Sequence, residues 1–308
     1  MASEPAASAE SAPALRYAWA KVNLYLHVTG KRDDGYHELD SLIVFAGVGD
    51  RLTAEPAERF DLTIEGPYAG ALEPGPENLV ARAAALSSGA DGSAPACQIR
   101  LEKRLPVAAG LGGGSADAAA ALALLGAELG PGGSLGWAEI AARLGADVPV
   151  CCYGRPAFVG GIGEEIERAP PLPPAWLVLA NPGVGLSTAE VFRALGETRS
   201  SPMRWAEPLG SAAELAERLQ ERHNDLEGPA RRLLPAVEAV LAAIAATEGC
   251  LLARMSGSGA SCFGLYAGRA EAELAAAEMA AANEAWWVAS APLLHGPLAS
   301  SWWESAAG

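Results

Sequence analysis

Residues 106 to 117 read PVAAGLGGGSAD, and the apolar run AAAALALL follows at once. Glycine disfavours both helix and strand, yet Gly110, Gly112, Gly113 and Gly114 crowd together directly before a run that reads as a buried helix. A loop of glycines lets backbone N–H groups approach an anion with no Cβ in the way. The helix start behind it adds unpaired donors and the positive end of a dipole. The stretch therefore suits a di- or triphosphate, or else it is a flexible surface loop. It is neither of two better known phosphate fingerprints: GxxxxGK[ST] is absent, and the GxGxxG match neither follows its strand nor meets an acidic ribose partner as it should.

The rest of the composition narrows what the loop serves. The chain has 308 residues, half of them apolar, and a formal net charge of -15. That length predicts two domains. Such acidity argues against a nucleic-acid partner and leaves any anion to be held by local devices such as backbone dipoles. No apolar run reaches membrane-spanning length and the first dozen residues lack the features of a signal peptide, so the expectation is a cytoplasmic protein with no membrane partner. Five cysteines and four histidines, all scattered, predict neither disulfides nor a metal centre. The cysteines read as small buried hydrophobes. Among 22 basic residues only Lys21, Lys31 and Lys103 are lysines, so each lysine draws attention.

Upstream of the loop, from Tyr17, alternation puts Val22, Leu24, Leu26 and Val28 on one strand face and Lys21, Asn23, Tyr25 and His27 on the other. KRDDG (31 to 35) signals a turn, LDSLIVF (39 to 45) a returning strand, and Tyr36 and His37 follow the turn. Weak strands are expected at 51–53 and 60–64, a helix at 78–86 and a strand at 97–101. Downstream, Ser134 is expected to cap a helix carrying Trp137, Ile140, Ala141 and Leu144, which Gly145 stops. Pro149 biases Val148 to an extended backbone, a stiff support for Asp147. APPLPP (169 to 174) reads as a linker and WLVLAN (176 to 181) as a strand. Helices are expected at 188–195, 212–220, 233–247 and 271–282, and strands on either side of SGSGA (256 to 260). The tail with Trp286, Trp287, Trp302 and Trp303 reads as a packing or association surface. Strand pairs mixed with helix pairs indicate an α+β class.

PVAAGLGGGSADAAA resembles the phosphate-loop motif of the GHMP kinase superfamily. AWAKVNLYLHVTGKRDDGYHELDS, GADVPVCCYG and RMSGSGASCFGLY resemble, within it, the family of kinases that act on 4-diphosphocytidyl-2-C-methyl-D-erythritol. NPGVGLSTAEVF and RHNDLEGPA have counterparts there too, so the resemblance spans roughly residues 18 to 266. It implies a two-domain GHMP kinase fold: residues 12–168 as an N-terminal domain like the second domain of ribosomal protein S5, and 169–300 as a ferredoxin-like C-terminal domain. It implies an enzyme that uses ATP, with Mg2+ as its companion, to phosphorylate the 2-hydroxyl of that substrate in isoprenoid precursor synthesis by the methylerythritol phosphate route. A small-molecule partner and a monomer or homodimer follow.

Residue by residue, the resemblance makes Asp147 the base and Lys21 its orienting and charge-stabilising partner; taken alone, Lys21 reads as a surface charge and Asp147 as a turn or cap residue. The segment Pro106, Val107, Ala108, Ala109, Gly110, Leu111, Gly112, Gly113, Gly114, Ser115 and Ala116 becomes the ATP phosphate site. Ser115 either caps the helix or touches a phosphate or Mg2+, and Ala116 stands where many relatives carry a second serine. Asn23, Tyr36, His37 and Phe192 fall on substrate positions: Tyr36 and Phe192 stacking on cytosine, His37 bonding its edge. The other readings of these are core aromatics and a polar turn residue. SGSGA is either a hairpin turn or a lid on the loop. Rival functions are another GHMP kinase of homoserine or mevalonate type, which would lack the Tyr36–His37 pair, a non-catalytic nucleotide-binding regulator, or an interaction protein.

Overall fold

The computed structural model describes residues 14–88, 95–129, 136–196, 199–296 and 298. Expectations for Ser134, Trp302 and Trp303 lie outside them. Elements follow in the order β1 (Ala14–Lys31), β2 (His37–Pro56), β3 (Asp61–Glu65), α1 (Leu79–Leu86), β4 (Cys97–Glu102), α2 (Gly113–Leu129), α3 (Trp137–Leu144), α4 (Val148–Tyr153), β5 (Ala157–Gly161) and β6 (Glu165–Arg168). The second half holds β7 (Trp176–Asn181), α5 (Thr188–Ala194), α6 (Ala212–Gln220), α7 (Glu227–Leu233), α8 (Ala236–Ala245), β8 (Leu252–Met255), β9 (Cys262–Tyr266), α9 (Arg269–Ala282) and β10 (Trp287–Leu294). The class is α+β, as the element pattern indicates.

β1 and β2 form the long hairpin that the Asp-Gly turn predicts, antiparallel from Ala14↔Ala54 to Lys31↔His37. β2 also pairs with β4, β5 and β10, and β4 takes β3 as a parallel neighbour. On the other side β10 runs antiparallel to β7, which continues to β9 and β8. The tryptophan-rich segment at 286–287 thus leads into a strand, β10, that the sequence did not signal. Its end, Leu293↔Ala46 and Leu294↔Phe45, joins the sheet of the second half to β2.

The cores explain why periodicity is muted. α2 is buried on nearly every side from Ala116 to Leu125, so it shows no single apolar stripe. It packs on Phe45, Leu52 and Leu101 of the sheet together with α1 and α3. β7 is covered on both faces: Leu177 and Leu179 face a core shared with Val22 and Val44, while Val178 and Ala180 face Val240, Ile244 and Met279. A doubly covered strand reads as a continuous apolar run. Cys97, Cys151, Cys152 and Cys262 are buried and Cys250 is half-buried, and none of the five forms a disulfide.

Two expectations are corrected. The helix read over 233–247 is α8 but starts later, at Ala236, because Pro235 separates it from α7 and cannot donate to the preceding turn. Val148 is helical, not extended: it opens α4, with Pro149 in the first turn, where the missing N–H has no intrahelical partner to lose. Burial of Val148, Pro149 and Val150 outweighs the local bias against helix before proline.

Candidate active site

The glycine loop lies over β1, where the Lys21 N–H donates to the Leu111 carbonyl at 2.9 Å. Ala108, Gly110 and Gly112 have φ of 53°, 74° and 62°. Gly113 and Gly114 already form the first turn of α2, so the loop proper holds only two of the four glycines. Space, as well as φ, demands glycine at 110: an added Cβ would stand 2.6 Å from the Gly259 carbonyl oxygen and 2.7 Å from that of Ser256. At Gly114 it would meet only Leu79, at 3.5 Å. Ser115 is not the N-cap, since the helix starts two residues before it; it is half-buried in the first turn and lines the cleft.

The cleft encloses about 800 Å³. Pro106 to Gly110, Gly112 to Ser115, Lys21, Asn23, Asp147, Tyr36, His37 and Phe192 all line it. Leu111 and Ala116 do not: their side chains sit in the core at 1 % and 4 % exposure. Position 116 is therefore a packing position here, which fits alanine.

Lys21 Nζ lies 3.0 Å from Asp147 Oδ2 and donates to Asn23 Oδ1 at 2.9 Å. Lys21 is buried, whereas the Asp147 side chain is 42 % exposed, at the N-cap position of α4 without capping it. An anchored ammonium thus holds a carboxylate open to the cleft. Asn23 Nδ2 donates in turn to Ser41 Oγ at 2.8 Å, which fixes the amide. A register shift in the β1–β2 ladder between Asn23 and Tyr25 frees the Leu24 carbonyl, and buried Arg254 donates to it at 2.7 Å. Burial lowers the Arg254 pKa to about 10 against the pull of the Glu227 carboxylate, and the guanidinium donates to three carbonyls.

SGSGA lies against the loop as a fastened wall. Ser256 Oγ accepts from the Asn23 N–H and donates to the Gly110 carbonyl, both at 3.1 Å. The Ser261 N–H donates to Ala109 O at 3.0 Å, and Asn224 Nδ2 donates to the carbonyls of Met255 and Gly257 at 2.8 Å each.

At the far end His37 and Phe192 stack with centroids 5.0 Å apart and planes 25° apart, while Tyr36 is 61 % exposed. A histidine, not a gap, thus meets the Phe192 ring on that side. Burial, then the Lys31 ammonium, lower the His37 pKa, so its ring is neutral at pH 7 and offers one donor and one acceptor. Sequence reasoning missed Asp50 and Asp117, which hold Lys103 beneath the loop. The rarity of lysine singled out Lys103, but nothing in the chain order pointed to its partners. Among the described residues no group of three metal-ligating side chains gathers, and no helix is long and apolar enough to cross a membrane.

Residues 78–155 match the model of the GHMP kinases N terminal domain and residues 204–285 that of the GHMP kinases C terminal domain. A 4-diphosphocytidyl-2-C-methyl-D-erythritol kinase of Paramagnetospirillum magneticum is 56 % identical over 282 residues, covering 89 % of this chain and 96 % of that one. One from Cereibacter sphaeroides is 54 % identical over 274 residues, covering 88 % and 96 %. A crystal structure of 4-(cytidine 5'-diphospho)-2C-methyl-D-erythritol kinase superposes with a TM-score of 0.75 at 38 % identity, covering 92 % of this chain and all of that one. Homoserine kinase from Cytophaga hutchinsonii, at 16 % identity and a TM-score of 0.66, shares the fold. The chain belongs to the GHMP kinases, and within them to the family of 4-diphosphocytidyl-2-C-methyl-D-erythritol kinases.

Proposed function

We infer that this chain transfers the γ-phosphoryl group of ATP to the 2-hydroxyl of 4-diphosphocytidyl-2-C-methyl-D-erythritol, giving the 2-phosphate and ADP in isoprenoid precursor synthesis. The observation that carries the mechanism is the 3.0 Å pair of Lys21 and Asp147 in the cleft that the glycine loop lines. Phosphoryl transfer needs positioning and charge stabilisation more than covalent help. The hydroxyl oxygen attacks the γ-phosphorus as the bond to the β-phosphate oxygen breaks, and its proton passes to Asp147. Lys21 orients that carboxylate and directs its remaining N–H toward the transferred group.

The loop fits ATP: glycine at 110 and 112 lets it lie close against Ser256, Gly259 and Lys21, while Gly113 to Ser115, whose N–H groups open α2, line the cleft. Mg2+ would bind through the phosphates and water, as this ion usually does, and would neutralise charge on the transferred group. The cytidyl end would lie at Tyr36, His37 and Phe192. We also propose a cytoplasmic enzyme, monomeric or homodimeric, with its two domains meeting near residue 169.

The test is a panel of acceptor alcohols with ATP consumption as readout. Turnover with the cytidyl substrate alone is expected. Phosphorylation of homoserine or mevalonate in its place would overturn the assignment, and ATP binding without turnover of any acceptor would favour a regulator.

A further inference from the structure

Beneath the phosphate loop lie three ionisable side chains that the chemistry above leaves unused. Lys103 Nζ is 2.6 Å from Asp50 Oδ2 and 2.7 Å from Asp117 Oδ2. All three residues are buried, at 2 %, 0 % and 2 % exposure. They come from three places: Asp50 from β2, Lys103 from the chain just past β4, and Asp117 from the second turn of α2. The other oxygen of Asp50 accepts from the N–H groups of Arg104 at 2.6 Å and Leu105 at 2.8 Å, the residues that lead into Pro106. One ammonium therefore ties the chain entering the loop to the helix leaving it, with β2 as the anchor. Gly113 answers to the same group, because a Cβ there would come 3.1 Å from Lys103 Nζ.

The charges sharpen the point. With all three ionised, the cluster would carry one net negative charge, out of reach of solvent and directly below a loop that must hold phosphates. Burial pushes the Asp117 carboxyl up to about 8 against the pull of Lys103. Asp117 Oδ1 has no hydrogen-bond partner among the described residues, and Asp117 and Lys103 both line the cleft. A buried group left unpaired costs about 1 to 3 kcal/mol, so its retention calls for a reason.

We propose that Lys103, bridging Asp50 and Asp117, is a positioning residue that clamps both ends of the phosphate loop in its nucleotide-binding shape. The clamp acts through the loop and not on the acceptor alcohol. It rests on reading residues 106 to 115 as the ATP phosphate site.

The test compares the parent, Asp117→Leu and Asp117→Asn as full-length proteins. Leucine keeps the branched outline and removes the acceptor for Lys103; asparagine keeps an acceptor. The readouts are KM for each substrate and calorimetric affinity for a non-hydrolysable ATP analogue with Mg2+. Asp117→Leu is expected to weaken both ATP readouts roughly tenfold, short of the roughly hundredfold that a 1 Å misplacement can cost, with KM for the cytidyl substrate little changed. Asp117→Asn is expected to recover most of that loss. A folded Asp117→Leu that binds the analogue like the parent, an equal rise in both KM values, or an asparagine variant as impaired as the leucine one would each overturn the clamp. If Asp117→Leu does not fold, Lys103→Met combined with Asp50→Asn and Asp117→Asn, which removes all three charges together, carries the same comparison: affinity for the analogue equal to that of the parent overturns it. A parent that binds no ATP analogue would sink the functional assignment itself.

Discussion

The Lys21 ammonium and the Asp147 carboxylate meet at 3.0 Å although one belongs to the strand β1 and the other to the head of the short helix α4. α4 packs on α2, and α2 on β1, so the pair is positioned by the same helix whose first turn lines the cleft. The glycine loop and the Lys21–Asp147 pair are thus fixed relative to each other by one packed unit.

That arrangement makes the role of Asp147 separable from ATP binding. Asp147→Asn should lower kcat by roughly 10²- to 10⁴-fold, the range of general-base contributions, while affinity for the ATP analogue holds. The side chain is 42 % exposed and caps nothing, so stability should change little. Full turnover in this variant would remove Asp147 from the mechanism.

The loop glycines should differ sharply among themselves. Gly110→Ala places a Cβ against two carbonyl oxygens at a φ of 74°, and should cost more than about 1 kcal/mol of stability along with most ATP affinity. Gly114→Ala, in the open first turn of α2, should be neutral or stabilising by up to about 1 kcal/mol. Thermal melts of both variants check this; a Gly114→Ala as damaged as Gly110→Ala would contradict it.

Tyr36 offers an exposed ring next to the His37–Phe192 stack. Removing it in Tyr36→Ala should raise KM for the cytidyl substrate by the equivalent of about 1 to 3 kcal/mol of stacking, with ATP unaffected and no loss of melting temperature. Parallel losses for both substrates would make Tyr36 structural.

His27 gives the fold a pH dependence of known sign. Its Nδ1 is 2.9 Å from the Ser201 carbonyl, so this nitrogen carries the proton, and its Nε2 accepts from the His223 N–H at 3.3 Å, so the bonded form is neutral. Burial is the main cause that lowers its pKa from 6.5. Below 6.5 the unfolded chain binds the proton more readily, so this contribution is present above that pH and is lost as pH falls toward the lowered folded value. Melting temperature should drop between pH 7.5 and pH 5.5, and His27→Gln should drop less. An equal drop in both proteins would refute the assignment to His27.

Much of this was legible in the chain. The Asp-Gly turn between alternating runs fixed the β1–β2 hairpin and so the shared face of Lys21 and Asn23, because a two-residue period and a turn signal are local properties. The glycine cluster before an apolar run announced a tight loop opening a buried helix for the same reason. What the order of residues left open was everything decided by contact between distant segments. The placement of Lys21 against Asp147 and the seating of SGSGA on Gly110 through Ser256, which family resemblance alone anticipated, and the joining of Lys103 to Asp50 and Asp117, which nothing did, depend on which faces of the sheet the helices cover. β10 escaped notice because it is a strand only by virtue of the edges of β7 and β2 that it pairs with. Val148 became helical because burial of its neighbours outweighed a local bias. Short-range sterics write the elements into the sequence, whereas convergence of charges is set by packing, which no single stretch encodes.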